Sequence, residues 1–558
     1  MTSHEIPATQ RAVQLVGPDR LTLNDAKPVP EPGPHQVLCE VVVVGLCFSD
    51  LKLLKQFAGH VRKSEVLSGI DPAILRECSS YVPGEQPTVP GHEPVVRIVK
   101  VGAAVRRFKP GERYFIQADW RWLRTAGSNG AFGYNFEGAL QEYVLLDDRI
   151  IVAPDGDSML LPAPEGGRSA SAFGLVEPWA CVECSYLAPE RRTLTPGGRV
   201  LVVADAGADT SRLATLWAGA AAAVPLTWVS AQPAPAIACA VVTAAASLAL
   251  VPADQFDDVL YFGADPAVAE QLFAKAAKNG LILLMQCGGR FGRPVQTALG
   301  GIHYRGLRLG GTPGADPAEA LARIPATGEI RPGDRVHVVG AGGPMGVMHV
   351  VRNLCQGVPG VTVVAADLSD ERLEALSRIA APLAKECGTG YEPYNSSGGG
   401  RPGPFHYSVI MAPVPALVAG AVPVSAPGAI INIFAGIPVD KSGPVDLDQY
   451  VAKGLFFIGT SGSRMEDMRV VLQKVESGRL NTNVSVAAVS GLDGAVDGIR
   501  AVEKQAIPGK IMVYPACRGL PLTTLEELRT ALPQVHGKLA GGLWTKASED
   551  ALLAQFAG

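Results

Sequence analysis

The sequence predicts an α/β protein in which a largely antiparallel β domain precedes two tandem units of doubly wound parallel sheet. Three observations lead there: short β-rich runs punctuated by Pro and Gly through residues 11–160, a change from about residue 197 to strand, glycine turn, helix and strand, and a repeat inside that later region. At 558 residues the chain exceeds one ordinary core, and roughly 150 residues per domain suggests three or four domains.

In the first region, runs such as Val37-Leu38-Cys39-Glu40-Val41-Val42-Val43-Val44 are separated by residues 28–34 and by Lys109-Pro110-Gly111-Glu112, as strands are by turns. In the second, Thr195-Pro196-Gly197-Gly198-Arg199-Val200-Leu201-Val202-Val203 echoes Arg331-Pro332-Gly333-Asp334-Arg335-Val336-His337-Val338-Val339. Further on, Phe256-Asp257-Asp258-Val259-Leu260 loosely matches Phe405-His406-Tyr407-Ser408-Val409-Ile410. Gly306-Leu307-Arg308-Leu309-Gly310-Gly311-Thr312-Pro313-Gly314 matches Gly454-Leu455-Phe456-Phe457-Ile458-Gly459-Thr460-Ser461-Gly462. Three echoes in one order argue for two tandem Rossmann-like units. An insert in the second copy, residues 388–403, is rich in Gly, Pro and Ser and is expected to be a surface loop. Residues 508–515 read as a terminal strand. Thr524-Leu525-Glu526-Glu527 is a capping box that opens a helix, and residues 551–556 are amphipathic, so the tail is expected to pack or to contact a subunit.

A formal net charge of −4 without blocks of like charge gives no argument for nucleic acid or an acidic membrane as partner, and makes a small molecule the better expectation. The stretch Met1-Thr2-Ser3-His4-Glu5-Ile6-Pro7 lacks the basic and apolar regions of a signal peptide, which points to a cytoplasmic protein. Residues 234–251 are apolar but alanine-rich and carry Thr243 and Ser247, so a buried strand and helix explain them better than a membrane span. Ten scattered cysteines read as reduced thiols, most of them core residues.

Four motifs carry chemistry. Gly45-Leu46-Cys47-Phe48-Ser49-Asp50, Gly91-His92-Glu93 and Glu177-Pro178 supply a thiolate, an imidazole and two carboxylates, the ligand types of a catalytic zinc. Taken singly, Cys47 reads as a buried apolar thiol and His92 as a hydrogen-bonded turn residue; only convergence in the fold makes them a site. The fourth motif, Gly340-Ala341-Gly342-Gly343-Pro344-Met345-Gly346, lies between an apolar strand at 336–339 and a helix-like run at 347–354. That context suits a dinucleotide pyrophosphate at a helix N-terminus, although the spacing is one residue longer than usual. Asp367 ends the next strand, placed to accept the adenosine ribose hydroxyls and to repel a 2′-phosphate, which favours NAD over NADP. The nicotinamide end is expected near Ala435, Gly436 and Thr460. The first unit has Ala204-Asp205-Ala206-Gly207-Ala208-Asp209-Thr210 in place of the glycine turn, so a scaffold or dimer-forming role is expected rather than dinucleotide binding.

The series 45–50, 91–93, Val101-Gly102, Phe108-Lys109-Pro110-Gly111-Glu112-Arg113, Gly138-Ala139-Leu140-Gln141-Glu142-Tyr143 and Glu177-Pro178-Trp179-Ala180-Cys181 resembles the zinc-dependent medium-chain alcohol and polyol dehydrogenase superfamily. The Glu-Pro form and the Gly-Gly-Pro-Met-Gly turn are similar to its sorbitol dehydrogenase and sorbose-1-phosphate reductase branch. The resemblance covers residues 11–190 and about 331–515 and implies a GroES-like catalytic zinc domain over 1–190, completed by about 484–516, and an NAD-binding Rossmann domain over 331–483; the degenerate Rossmann-like domain over 191–330, read from the repeat, and a helical tail over 517–558 lie outside it. It implies that Cys47 and His92 ligate zinc, that Glu93 is a ligand or its immediate neighbour, and that Glu177 is an exchangeable ligand. Ser49 would pass the alcohol proton outward, and Lys52 stands where many relatives carry a histidine. Residues 116–137 contain no cysteine, so one catalytic zinc and no structural zinc is expected. The longer stretch between Lys52 and Gly91 is expected to form a lid or a subunit contact. The implied activity is hydride transfer between NAD(H) and a secondary alcohol or ketone, a polyol, ketose or sugar phosphate, by a homo-oligomer. Zinc-independent quinone reduction and a noncatalytic NAD-sensing or assembly role are the alternatives.

Overall fold

Val37, Val41, Val43 and Val44 are buried in a single β-branched strand, Gln36–Gly45, because such side chains pack well on a pleated surface covered on both faces. The computed structural model describes residues 6–217, 224–237, 240–399, 403–460 and 462–556. Two compact units emerge, Met1–Ala180 with Arg464–Gly558, and Cys181–Ser463.

In the first unit, Gln36–Gly45 pairs antiparallel with Glu93–Val101, Tyr143–Asp147 and Lys510–Val513. The last of these pairs in parallel with Val486–Ser490, so the sheet joins the two ends of the chain. Its register sets Gly45 opposite both Glu93 and Met512. In the cysteine-free stretch, strands Asp119–Thr125 and Asn129–Ala131 pair. Trp120 is buried there with its ring centroid 4.7 Å from Phe136. The stretch between Lys52 and Gly91 packs on the same hairpin through Val66–Ser68. The ammonium of Lys63, fully buried, donates to the carbonyls of Val82 and Gln86.

The tail belongs to this unit as well. The capping box forms, with the Thr524 N–H donating to Glu527 Oε2 (2.8 Å) and the Glu527 N–H to Thr524 Oγ1 (3.2 Å), and helix Leu528–Ala531 follows. From helix Lys546–Phe556, the buried Glu549 accepts the N–H groups of Ala170 (2.5 Å) and Ser171 (2.9 Å) and the hydroxyl of Tyr514 (2.9 Å). Its charge meets the orphan amides at the start of helix Ala170–Gly174, where an anion is stabilising.

The second unit contains two six-stranded parallel sheets. In space the first runs Ala240–Ala244, Val224–Val229, Val200–Ala204, Phe256–Phe262, Ala276–Met285 and Arg308–Thr312. The second runs Gly390–Asn395, Thr362–Asp367, Arg335–Val339, Phe405–Ile410, Ser425–Ile433 and Phe456–Ile458. Both have the order third, second, first, fourth, fifth, sixth, the doubly wound order with a switch point beside the first strand. The expected β domain and two tandem Rossmann-like units are therefore present.

Two local expectations are corrected. Residues 234–251 do not form a buried strand and helix: Ala240–Ala244 is an outer strand with Val241 63% and Val242 40% exposed, followed by a 3₁₀ turn at Leu248–Leu250, while 238–239 lie outside the described residues. Residues 388–403 are not simply a loop, since Gly390–Asn395 pairs along Thr362–Asp367; residues 400–402 lie outside the described residues. Both are edge strands, which hydrogen-bond on one side only and carry no hydrophobic alternation to reveal them. Among the described residues no helix is long and apolar enough to cross a membrane.

Candidate functional site

The site in the first unit starts from a close approach of two strands. A Cβ on Gly45 would stand 2.5 Å from Glu93 Oε2, so glycine there gives the carboxylate its room. The chain leaves the strand and Cys47 becomes the N-cap of helix Phe48–Gln56, while His92 immediately precedes Glu93–Val101. The Cys47 sulfur, a His92 ring nitrogen and a Glu93 oxygen come within 4.8 Å of one another. This is a soft, a borderline and a hard donor at one point, a set that suits zinc.

Asp50 organises the first two. One of its oxygens lies 3.0 Å from His92 Nδ1, and the other accepts the Cys47 N–H at 3.1 Å. With Nδ1 so engaged, Nε2 is the nitrogen left for a metal, the usual division of labour on a ligating imidazole. Burial works against the imidazolium, but Asp50 and Tyr134 outweigh it and hold His92 well above the ordinary histidine range. Metal binding at His92 would therefore release a proton.

Glu93 is engaged too. Lys510 Nζ donates to both its oxygens, at 2.6 and 2.8 Å, with both side chains buried. Burial opposes the ammonium, yet Cys47 and Glu93 raise it, so Lys510 stays charged. Glu177, in the first turn of helix Val176–Leu187, lies outside the 4.8 Å group but within its field. Burial pushes its carboxyl up to about 6, with His92 pulling it down and Glu93 pushing it further up.

Ser49 and Lys52 share one face of helix Phe48–Gln56, Ser49 half-buried and Lys52 exposed. Beside them is an aromatic wall: Tyr134 lies 5.9 Å from the His92 ring and 5.2 Å from His60, and its hydroxyl donates to the Ser49 carbonyl at 3.4 Å. Burial, then Arg62 and Lys52, lower His60 to about 4. Lys510, Tyr134 and His60 escaped the sequence reading. A lysine inside an otherwise apolar terminal strand, Lys510-Ile511-Met512-Val513, was the available signal for the first.

In the second unit the helix begins inside the glycine motif, over Pro344–Cys355 with Gly343 as N-cap, earlier than the run from 347 suggested. Pro344 and Met345 are its first residues. A Cβ on Gly346 would meet the Gly340 carbonyl at 2.3 Å, so helix and turn are in contact there. The Gly342 N–H donates to Asp367 Oδ2 at 2.9 Å, and Asp367 Oδ1 accepts the N–H groups of Leu368 (2.8 Å) and Ser369 (3.2 Å). Ala435 is buried and Gly436 exposed just past strand Ser425–Ile433. Thr460 follows Phe456–Ile458, and its buried Oγ1 has no protein hydrogen-bond partner. These three therefore stand at C-terminal strand ends, the edge where doubly wound sheets bind ligands.

Residues 33–155 match the alcohol dehydrogenase GroES-like domain family. The chain carries an alcohol dehydrogenase GroES-like domain. Proteins similar to it include ones named alcohol dehydrogenase, sorbitol dehydrogenase and L-sorbose 1-phosphate reductase. The L-sorbose 1-phosphate reductase of Klebsiella pneumoniae is 28% identical over 238 residues, 40% of this chain and 56% of that one. The sorbitol dehydrogenase of Ovis aries is 34% identical over 112 residues, 20% of this chain and 25% of that one. The curated relatives matched first are covered over 32% to 58% of their own length. In fold the chain is similar to the 2R,3R-butanediol dehydrogenase of Bacillus subtilis, with a TM-score of 0.52 at 15% identity over 91% of this chain and 100% of that one.

Proposed function

We propose that this protein is a zinc-dependent oxidoreductase that transfers hydride between NAD(H) and a secondary alcohol or ketone of the polyol, ketose or sugar-phosphate class. The observation that carries the reading is the convergence of Cys47, His92 and Glu93 under the control of Asp50. Cys47 and His92, with Glu177 or Glu93, would hold the ion, which when bound polarises the substrate oxygen and lowers the hydroxyl pKa.

The chain's own residues do the rest. Asp50 keeps the imidazole oriented, and Lys510 neutralises Glu93 and competes for its oxygens. Glu177, whose carboxyl burial pushes up to about 6, is the carboxylate that would exchange with water or substrate. Ser49, with Lys52 one turn further out, carries the alcohol proton toward solvent. The turn Gly340, Gly342, Gly343, Pro344, Met345 and Gly346 receives the pyrophosphate at a helix N-terminus, and Asp367 receives the ribose hydroxyls. Ala435, Gly436 and Thr460 stand at the nicotinamide end. The relatives named for sugar-phosphate and polyol substrates support that substrate class.

The test is elemental analysis of the wild type and of Cys47→Ala, with NAD-dependent oxidation of a polyol panel in parallel. The expected result is one zinc per chain, lost in the variant together with turnover. A metal-free, active wild type would overturn the zinc mechanism, and a zinc-loaded, NAD-binding protein without turnover on any polyol would favour the sensing role.

A further inference from the structure

Around its last echo the repeat gives residues of the first copy counterparts in the second: because Gly306 matches Gly454, Gln296 corresponds to Pro444, Gly300 to Asp448, Ile302 to Tyr450, His303 to Val451, Leu309 to Phe457 and Gly311 to Gly459. The contacts between the copies respect that correspondence in both directions. Strands Val295–Thr297 and Gly443–Val445 pair antiparallel with Gln296 directly opposite Pro444, so counterparts face each other across the pair. A Cβ on Gly311 would lie 2.8 Å from Val451, and one on Gly459 would lie 2.9 Å from His303, which is the same contact made twice with the roles exchanged.

The exchange holds away from the strands as well. Asp448 accepts the N–H groups of Phe291 (2.9 Å) and Gly292 (3.0 Å), while its counterpart Gly300 lies against the backbone of Pro438 and Val439, the segment that corresponds to 290–291. The buried side chains follow suit, with Ile302, Leu307 and Leu309 in one apolar cluster with their counterparts Tyr450, Leu455 and Phe457. Contacts in which residue i meets j and the counterpart of j meets the counterpart of i define an isologous, two-fold interface, the kind that ordinarily joins two identical subunits.

We propose that the first Rossmann-like unit is a built-in partner: it fills the face on which the second unit would pair with a copy of itself, so the two-fold pair closes inside one chain. The chemistry that fits this face is a second copy of the same fold, and the chain supplies it. No second chain docks here, and any self-association uses another surface. The apolar character and exchanged contacts of the interface, rather than any ligand, account for keeping a unit whose turn holds a single glycine.

The proposal is tested on the full-length protein by the paired substitution Gln296→Cys with Pro444→Cys under mild oxidation, with the wild type as control for native thiols. Directly opposed antiparallel residues stand at about 4.5–5.5 Å between Cα atoms, within disulfide reach. The expected product is a disulfide inside one chain, migrating as a single chain on a non-reducing gel and located by peptide mass spectrometry. A covalent dimer through these positions, or a folded variant that forms no such disulfide, overturns it. Should the double variant not fold, the native masses of the wild type and of Gly311→Glu decide. An equal mass with a lower melting temperature in the variant supports an internal interface, and a wild-type dimer that the variant splits into monomers overturns it. None of these readouts depends on redox activity, so they stand or fall apart from the zinc mechanism.

Discussion

Where the first strand of each parallel sheet ends, the two copies place a carboxylate in opposite ways. In the second copy the acid is lent from the neighbouring strand: Asp367 takes one amide of the turn, Gly342 N–H, and the turn itself is free of charged side chains. Helix Pro344–Cys355 then starts at once, its N-terminal amides facing the turn. In the first copy the acid belongs to the turn. Asp205 accepts the Tyr261 hydroxyl at 2.9 Å and the Ala264 N–H at 3.1 Å, and a Cβ on Gly263 would lie 2.1 Å from it. Among the described residues only a 3₁₀ segment, Leu213–Trp217, follows before the second strand. Strand order is identical in the two copies, so they differ at the turn and the helix start, the elements proposed to take the pyrophosphate.

The comparison breaks most sharply at Gly346. Replacing it with Val forces atoms onto the Gly340 carbonyl, and NAD affinity is expected to fall roughly 100-fold or more, about 2.7 kcal/mol, by calorimetric titration. Gly207→Ala in the other turn should leave affinity unchanged.

A second asymmetry is acid sensitivity. Among the described residues only the second copy has a helix at this point, Pro344–Cys355, and its His349 is fully buried with Nδ1 at 2.8 Å from the Tyr186 hydroxyl. Burial, then Arg352, push it down to about 3, with Glu183 opposing. Its folded value lies below its unfolded value, near 6.5, so its contribution is fully present above that pH and is lost as pH falls toward 3. Urea unfolding should show about 2 kcal/mol lost between pH 7 and pH 5 through this one group, and His349→Gln should flatten that loss.

Smaller effects sharpen the contrast between the acids. On the proposed reading Asp367→Ala removes the acid that would repel a 2′-phosphate and should move the NAD to NADP preference by about 10-fold, some 1.4 kcal/mol, measured as the ratio of affinities. Asp205→Asn weakens one hydroxyl and one amide contact and should cost about 1 kcal/mol of stability, seen as a lower melting temperature with dinucleotide affinity unchanged.

What could be read from the sequence was local. Glycine turns, strand punctuation and the triplet Gly91-His92-Glu93 announce themselves because the residues that act lie within one turn of each other. The repeat was readable because its echoes lie in strands and turns, where backbone geometry dictates residue type. What stayed hidden depends on register between distant segments. Lys510 meets Glu93 only because the terminal strand pairs beside Gln36–Gly45. Asp50 stands in a quoted motif, yet its two-handed hold on His92 and Cys47 depends on how the helix turns away from the strand. The edge strand Gly390–Asn395 was missed because its sequence, Gly-Tyr-Glu-Pro-Tyr-Asn, carries no alternation and includes a proline, which an outer strand tolerates.

The unit that holds Cys47 and His92 is interrupted, its chain resuming only at Arg464 after the whole of Cys181–Ser463. Domains generally fold as units while the chain emerges from the ribosome. The interrupting unit is contiguous and can settle early, whereas the sheet around Gly45 waits for Lys510 and helix Ala170–Gly174 waits for Glu549. The cluster of Cys47, His92 and Glu93 is thus expected among the last parts of the molecule to be finished during synthesis, and until Lys510 arrives Glu93 lacks the ammonium that pairs with it.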